Sequence, residues 1–259
     1  MKITLLSWIM VFGLWGCATS PTGRSQLTLV PDRQMNQMGA QAFSEMKTQV
    51  PIERSTRVNQ YVRCITDALL KVSVDQTGVR SWEVVVFKDN SANAFALPGG
   101  KIGVHTGILK VAKTDAQLAA VLGHEIGHVI ARHGNERMSQ TLALQGGLAA
   151  LGGFTDGSKN QELYMILGMG VGQLGILKFG RSHESESDRI GQQLMAKAGF
   201  DPRASVSLWK NMAKAGGAQP PEFLSTHPSH STRISDLNKY MGEALELYHR
   251  SGKQTHCKM

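Results

Sequence analysis

Val121-Leu122-Gly123-His124-Glu125-Ile126-Gly127-His128-Val129-Ile130 is the stretch from which the rest of the chain can be read. Thr114 is suited to cap a helix, and Leu118, Val121, Leu122, Ile126 and Val129 then recur at helical spacing, which predicts a helix from Asp115 onward. Residues four apart on a helix lie one above the other, so the imidazoles of His124 and His128 face the same way and can share one metal ion. Glu125 is rotated from His124 by about 100° around the helix. That places its carboxylate beside such an ion, within reach of a bound water, rather than on it. Zinc held in this way brings the pKa of its water down towards about 7, and a neighbouring carboxylate can take the proton as the hydroxide attacks a carbonyl.

A zinc ion that does chemistry needs a third protein ligand and an open fourth position. The richest donor segment downstream is His183-Glu184-Ser185-Glu186-Ser187-Asp188, at the start of a helix predicted over Ser182–Ala198. Glu184 and Glu186 are two apart and point to nearly opposite faces, so only one can be the ligand. Asp188 shares the face of Glu184 and could fix the tautomer of a ligand imidazole. That pairing favours Glu184 with Asp188 over Glu186 alone, and His183 is a third possible donor.

Upstream, Trp82–Phe87 is short and β-branched and reads as a strand. Asn93–Leu97 and Lys101–His105 read as two more, separated by the turn residues Pro98-Gly99-Gly100. Helices are expected from Pro31, with Met35, Met38, Ala42, Phe43 and Met46 on one face, and over Arg57–Val74, with Tyr61, Val62, Ile65 and Leu69 inward. Beyond the metal helix, Met138–Leu151, Glu162–Leu177, a helix opened by Asp201-Pro202, and Ser231–Arg250 complete the series; Thr155–Asn160 and Pro220–Ser229 read as breaks. Helices, a small sheet and then helices argue an α+β domain. Glu162–Leu177 is apolar, but Gln173 and its glycines favour a core or lid helix over a membrane span.

These motifs, in this order, resemble those of the minigluzincin-type zinc metallopeptidases, the family of HtpX, BepA and the mitochondrial OMA peptidase. The resemblance runs from Asn93-Ala94-Phe95-Ala96-Leu97-Pro98-Gly99-Gly100, through the two histidines and Glu184…Asp188, to His227-Pro228 and Arg233-Ile234. It implies a mainly helical zincin-type domain whose small sheet lends an edge strand to the cleft, with one zinc ion per chain on His124, His128 and Glu184. Glu125 would be the general base, Asp188 a support behind a ligand histidine, and Asn93, Ala94, Phe95 and Ala96 part of the substrate-binding edge. His227 would either steady the oxyanion or occupy the metal at rest. Arg233 would pair with a carboxylate of the site or help polarise the intermediate. His105, His133 and His230 are expected to be surface or packing residues. Ser187 stands where the family usually has Ala, and the membrane segments of HtpX-like members and the helical-repeat domain of BepA-like ones are not in this sequence. The implied activity is a zinc endopeptidase acting on unfolded or misassembled cell-envelope proteins. The alternative is a chaperone-like assembly factor with a largely closed zinc site.

The N-terminus sets the expected address. Met1-Lys2 followed by apolar Ile3–Leu14 and then Leu14-Trp15-Gly16-Cys17 resembles a lipoprotein signal, which would make residues 1–16 a signal peptide and Cys17 the lipidated residue. Residues 17–30 would then be a tether, 31–259 a single metallopeptidase domain, and the periplasmic face of a bacterial outer membrane its location. Cys64 and Cys257 could form one disulfide in an oxidising compartment or remain separate thiols. The net charge of +8 comes from dispersed Lys and Arg with no basic run, which argues for a solvated surface that tolerates an anionic membrane and against nucleic-acid binding. Nothing in the sequence bears on oligomeric state.

Overall fold

The computed structural model of the chain describes residues 17–73, 78–150, 180–215, 227 and 231–259. The signal expected over 1–16, the break at 155–160, the apolar stretch 162–177 and all of the 220–229 loop except His227 lie outside the described residues. The elements in chain order are β1 (Cys17–Thr19), β2 (Ser25–Leu27), α1 (Asp32–Gln49), α2 (Thr56–Val72), β3 (Glu83–Phe87), β4 (Ala94–Leu97), β5 (Lys101–His105), α3 (Asp115–Ile130), α4 (His133–Ala150), α5 (Arg181–Lys197), α6 (Arg203–Ala215) and α7 (Ser231–Ser251). Helices thus flank a small sheet, as an α+β reading requires.

Helix α3 is the axis of the domain. Thr114 caps it by accepting the amide of Gln117 at 3.2 Å, and Asp115 in the first turn complements the positive end of the helix dipole. Every residue from Gln117 to Ile130 is buried. Leu118, Leu122 and Ile126 are wholly enclosed, and each such side chain contributes about 1.5–3 kcal/mol of burial. The apolar face of α2 (Val62, Ile65 and Leu69), the inner face of β5 (Ile102 and Val104) and Phe200, Leu208 and Met212 close around it.

Against this core lies a three-stranded sheet of order β3-β5-β4. β3 runs parallel to β5 with Val85 opposite Gly103, and β4 runs antiparallel to it with Phe95 opposite Gly103. The Pro98-Gly99-Gly100 turn works because both glycines take positive φ, 82° and 71°, a region that a Cβ disfavours. A second, smaller core forms where Phe43 and Met46 of α1 meet Phe87 and Phe95. β4 is left at the border of the sheet, facing the metal helix.

α5 crosses α3 at unusually short range. A Cβ on Gly191 would fall 2.6 Å from the backbone nitrogen of His124, and one on Gly123 would fall 3.0 Å from the Gly191 carbonyl oxygen. One turn on, Ser187 donates its hydroxyl to the His124 carbonyl. Small residues at the crossing therefore bring the His124/His128 face directly over the Glu184/Asp188 face. Cys64 of α2 is joined to Cys257 of the C-terminal tail by a disulfide, Cα atoms 5.9 Å apart.

The stretch read as a tether is fastened to the domain. β1 and β2 pair antiparallel, with Cys17 opposite Leu27. Gln26 donates to the Ala131 carbonyl at 2.8 Å, and the Leu29 amide donates to Ser139 at 2.7 Å. No helix among the described residues is long and apolar enough to cross a membrane.

Candidate metal centre

The face-sharing predicted for positions 124 and 128 is observed. The Nε2 atoms of His124 and His128 stand 3.0 Å apart. Glu184 of α5 brings Oε2 to 3.4 Å from His124 Nε2 and Oε1 to 3.5 Å from His128 Nε2. His227 brings Nδ1 to 3.2 Å from His124 Nε2 and 3.1 Å from Glu184 Oε1. These four buried groups offer ligand atoms that all lie within 4.8 Å of one another. Three imidazole nitrogens and a carboxylate suit zinc, and bonds of about 2.0–2.1 Å to a tetrahedral ion put its ligand atoms about 3.3 Å apart. The observed separations bracket that value, so the residues fit the ion.

Behind the donors stands a buried ionic frame. Asp188 Oδ1 lies 2.9 Å from His124 Nδ1, the nitrogen turned away from the cluster. Arg233 is almost wholly enclosed; it donates from Nε to Asp188 Oδ2 at 2.7 Å and from Nη1 to Glu184 Oε2 at 2.7 Å. Its guanidinium carbon sits 3.7 Å from the centre of the Trp209 ring. Of the two roles expected for Arg233, the geometry shows pairing with the site carboxylates. Burial would raise the Glu184 pKa, but hydrogen bonding to His124 and His227 overcomes it and holds the carboxyl well below its usual range. Glu184 is therefore an anion ready for a cation. Burial works against a charged His124, as does Arg233, yet contact with Asp188 and Glu184 lifts its pKa to about 9. The protons of the cluster are those that a bound ion displaces.

Glu125 faces the same space from α3. Its Oε1 is 3.3 Å from His227 Nε2 and, among the described residues, has no partner in hydrogen-bond geometry. Burial first of all raises its pKa, which suits a carboxylate that must pick up a proton. The adjoining cleft is lined by Asn93, Ala94, Ala96, Met35, Glu125 and His227, among others. Four expected substrate-edge residues thus border the donors, with one distinction. Phe95 also lines the cleft, yet its ring packs in the small core near Phe43 and Phe87, at centroid distances of 6.3 and 6.2 Å.

The structure separates the three candidate donors of the 183–188 segment. Glu184 joins the cluster, whereas Glu186 accepts from Arg24 Nε at 2.9 Å and lies 3.1 Å from His133 Nε2. His183 turns to Glu136, 3.0 Å away. Arg24 also donates both terminal nitrogens to Glu136, at 2.7 and 2.6 Å. His133, expected to be a surface or packing residue, is fully buried with Nδ1 2.8 Å from Nδ1 of His128. Sequence spacing gave no sign of that contact, because the helix ends between the two residues. His105 conforms to a packing role, lying edge-on to Phe87 and Phe95 with Nδ1 2.6 Å from the Ser91 hydroxyl. Cys17 begins β1, and nothing around it bears on lipidation.

Several curated proteins are similar to this chain in sequence. The mitochondrial metalloendopeptidase OMA1 of Schizosaccharomyces pombe is 40% identical over 165 residues, covering 63% of this chain and 48% of that protein. The mitochondrial metalloendopeptidase OMA1 of Bos taurus is 32% identical over 265 residues, 92% of this chain and 48% of its own length. The beta-barrel assembly-enhancing protease of Yersinia pestis is 31% identical over 217 residues, 81% of this chain and 44% of its own. The chain spans about half the length of these relatives or less. They also correct the expected address: mitochondrial proteins of yeast, plant and cattle stand among them, so a lipid-anchored position on a bacterial outer membrane does not follow from the sequence. The sequence model of peptidase family M48 matches residues 56–241, from the helix that carries Cys64 to the helix that carries Arg233, with every donor of the cluster inside it. The chain belongs to peptidase family M48.

Proposed function

We propose that the chain is a zinc-dependent endopeptidase with His124, His128 and Glu184 as ligands and Glu125 as general base. The observation that carries this reading is the convergence of those three donors with a buried Glu125 carboxylate that lines the adjoining cleft. When bound, zinc supplies Lewis acidity to a water and to the scissile carbonyl. Glu125 accepts the proton of the attacking water on Oε1 and delivers it to the leaving amine. The β4 backbone at Asn93–Ala96 binds an extended substrate by main-chain pairing, and burial around the donors excludes bulk water. Arg233 and Asp188 hold Glu184 and His124 in place.

One relative is named a beta-barrel assembly-enhancing protease, which supports a protein caught during assembly as the substrate. The proposed substrate class is accordingly misfolded or misassembled cell-envelope protein. Lipid attachment at Cys17, a matter for mass analysis of the mature N-terminus, belongs to the same proposal and rests on Leu14-Trp15-Gly16-Cys17 alone. The deciding experiment is Glu125→Gln. Purified protein, an unfolded substrate and fragment masses should show a loss of at least about 10²-fold in cleavage with zinc content unchanged. Cleavage at the wild-type rate would end the peptidase reading.

His227 favours a second reading. Its Nδ1 sits among the ligand atoms, and four protein ligands make a closed, structural zinc site. A resting site of that kind is the chaperone-like alternative. His227→Ala discriminates: faster cleavage marks His227 as a fourth ligand that blocks the site, and slower cleavage marks it as a group that aids the reaction.

A further inference from the structure

The two ligand histidines of α3 are supported differently. His124 meets a carboxylate directly, Asp188, as ligand histidines commonly do. His128 meets a second imidazole. Its Nδ1 lies 2.8 Å from Nδ1 of His133, and the other nitrogen of His133 lies 3.1 Å from Glu186 Oε2. A nitrogen–nitrogen contact of that length holds one proton. If His128 binds the ion through Nε2, that proton sits on its Nδ1 and the His133 Nδ1 accepts it. His133 must then carry its own proton on Nε2, where the Glu186 carboxylate receives it. Glu186 is fixed in turn from outside the helical core: Arg24 Nε donates to it at 2.9 Å, and the Thr22 hydroxyl donates to its other oxygen. Both residues belong to the turn between β1 and β2, a hundred residues or more from the ligands in sequence.

The local backbone makes this possible. α3 ends at Ile130 with Ala131 as its C-cap, and Arg132 adopts φ 56°, a left-handed conformation rare for a side chain other than glycine. The chain reverses there, and the first residue of α4, His133, returns beneath the last turn of α3. Gln26 of β2 donates to the Ala131 carbonyl freed by the break.

We propose that His133 is a positioning residue of the metal centre, taking the Nδ1 proton of His128 and linking that ligand through Glu186 to Arg24 and Thr22 of the N-terminal hairpin. The inference rests on the zinc reading above. A neutral imidazole is a weaker acceptor than a carboxylate, so the two ligands differ in basicity: His124 is drawn towards the anionic frame of Asp188, and His128 is tuned through an intermediate ring. The hairpin thereby acts on the metal site without touching it.

The test uses the full chain loaded with zinc. Histidine nitrogen–proton correlation spectra of the wild type should show His128 metal-shifted at Nε2 and protonated at Nδ1, and His133 protonated at Nε2 alone. Zinc affinity is then read by chelator competition. His133→Phe, which keeps a ring but no acceptor, should bind zinc about 10–100-fold more weakly. His133→Asn, whose amide oxygen can accept the same proton, should recover most of the loss. Wild-type affinity in His133→Phe with an unchanged His128 Nδ1 proton signal overturns the inference and leaves the zinc reading intact. A doubly protonated His133, or one protonated on Nδ1, overturns it as well, and that result needs no variant to fold. Failure of the wild type to show any metal-shifted histidine strikes the zinc reading first and the inference with it.

Discussion

Replacing Gly191 by alanine adds one methyl group where α5 crosses α3. The new carbon would fall 2.6 Å from the His124 nitrogen and 2.8 Å from the Gly123 carbonyl carbon, all backbone atoms that cannot rotate away. Ordinary contact begins at 3.4 Å, so the helices must part locally by about 0.8 Å. Alanine favours a helix over glycine by about 1 kcal/mol, whereas overpacking of this kind costs about 1–3 kcal/mol. The net effect on stability is therefore small, a loss of about 0–2 kcal/mol. The effect on function is not small, because the same displacement carries Glu184 and Asp188 away from His124, and a misplacement near 1 Å costs about 10² in rate. The assay pairs chemical denaturation with zinc competition and cleavage of an unfolded protein. Gly242→Ala in α7 is the control: its Cβ would meet nothing within 4 Å, so it should gain about 0.5–1 kcal/mol and leave zinc binding alone. If Gly191→Ala instead gains stability like the control and binds zinc with wild-type affinity, the close crossing does not set the site.

Arg233→Ala should destabilise by about 3–5 kcal/mol in denaturant, since it strips the buried Glu184 and Asp188 of their shared cation; Arg233→Lys should restore only part, as an ammonium cannot make the forked contact. Reducing the Cys64–Cys257 bridge, or substituting both residues by Ser, should cost about 2–5 kcal/mol, measured as a shift in denaturation midpoint. Burial opposes the depressed pKa of Glu136, but hydrogen bonding from Arg24 and the charge of His183 prevail. A depressed folded-state pKa means that the unfolded chain binds the proton first, so this stabilisation is present above about pH 4.5 and disappears as pH falls below it. Glu136→Gln should lower stability at neutral pH and flatten the acid limb; an unchanged limb would count against the Arg24–Glu136 pair.

Periodicity was a sufficient guide wherever a residue acts through the face of one helix. The positions of His124, His128 and Glu125 followed from the turn of α3, and Glu184 with Asp188 followed from a four-residue spacing on α5. The strand at Trp82–Phe87 announced itself through β-branched residues, and the turn after Leu97 through Pro98-Gly99-Gly100. What stayed hidden depends on where the chain reverses. His133 is five residues from His128 and would point elsewhere on a continuous helix; only the left-handed Arg132 returns it. Arg24 gave no signal because a short polar stretch looks like a linker until two carboxylates from distant helices are known to meet it. The parallel pairing of β3 with β5 was equally unreadable, since strand order is decided by packing against α2 and α3. The compartment was misread for a different reason: an apolar leader and one cysteine describe a segment, not the proteins that share the domain.

The Cys64–Cys257 bridge closes a covalent ring that contains His124, Glu125, His128, Glu184, His227 and Arg233. One backbone cut anywhere in that ring, whether by a processing enzyme or by a second molecule of the same kind, releases no fragment. The nicked molecule would run as a single species on a non-reducing gel and separate into two pieces only after thiol treatment. Any experiment that judges self-cleavage by apparent mass therefore has to be read under both conditions.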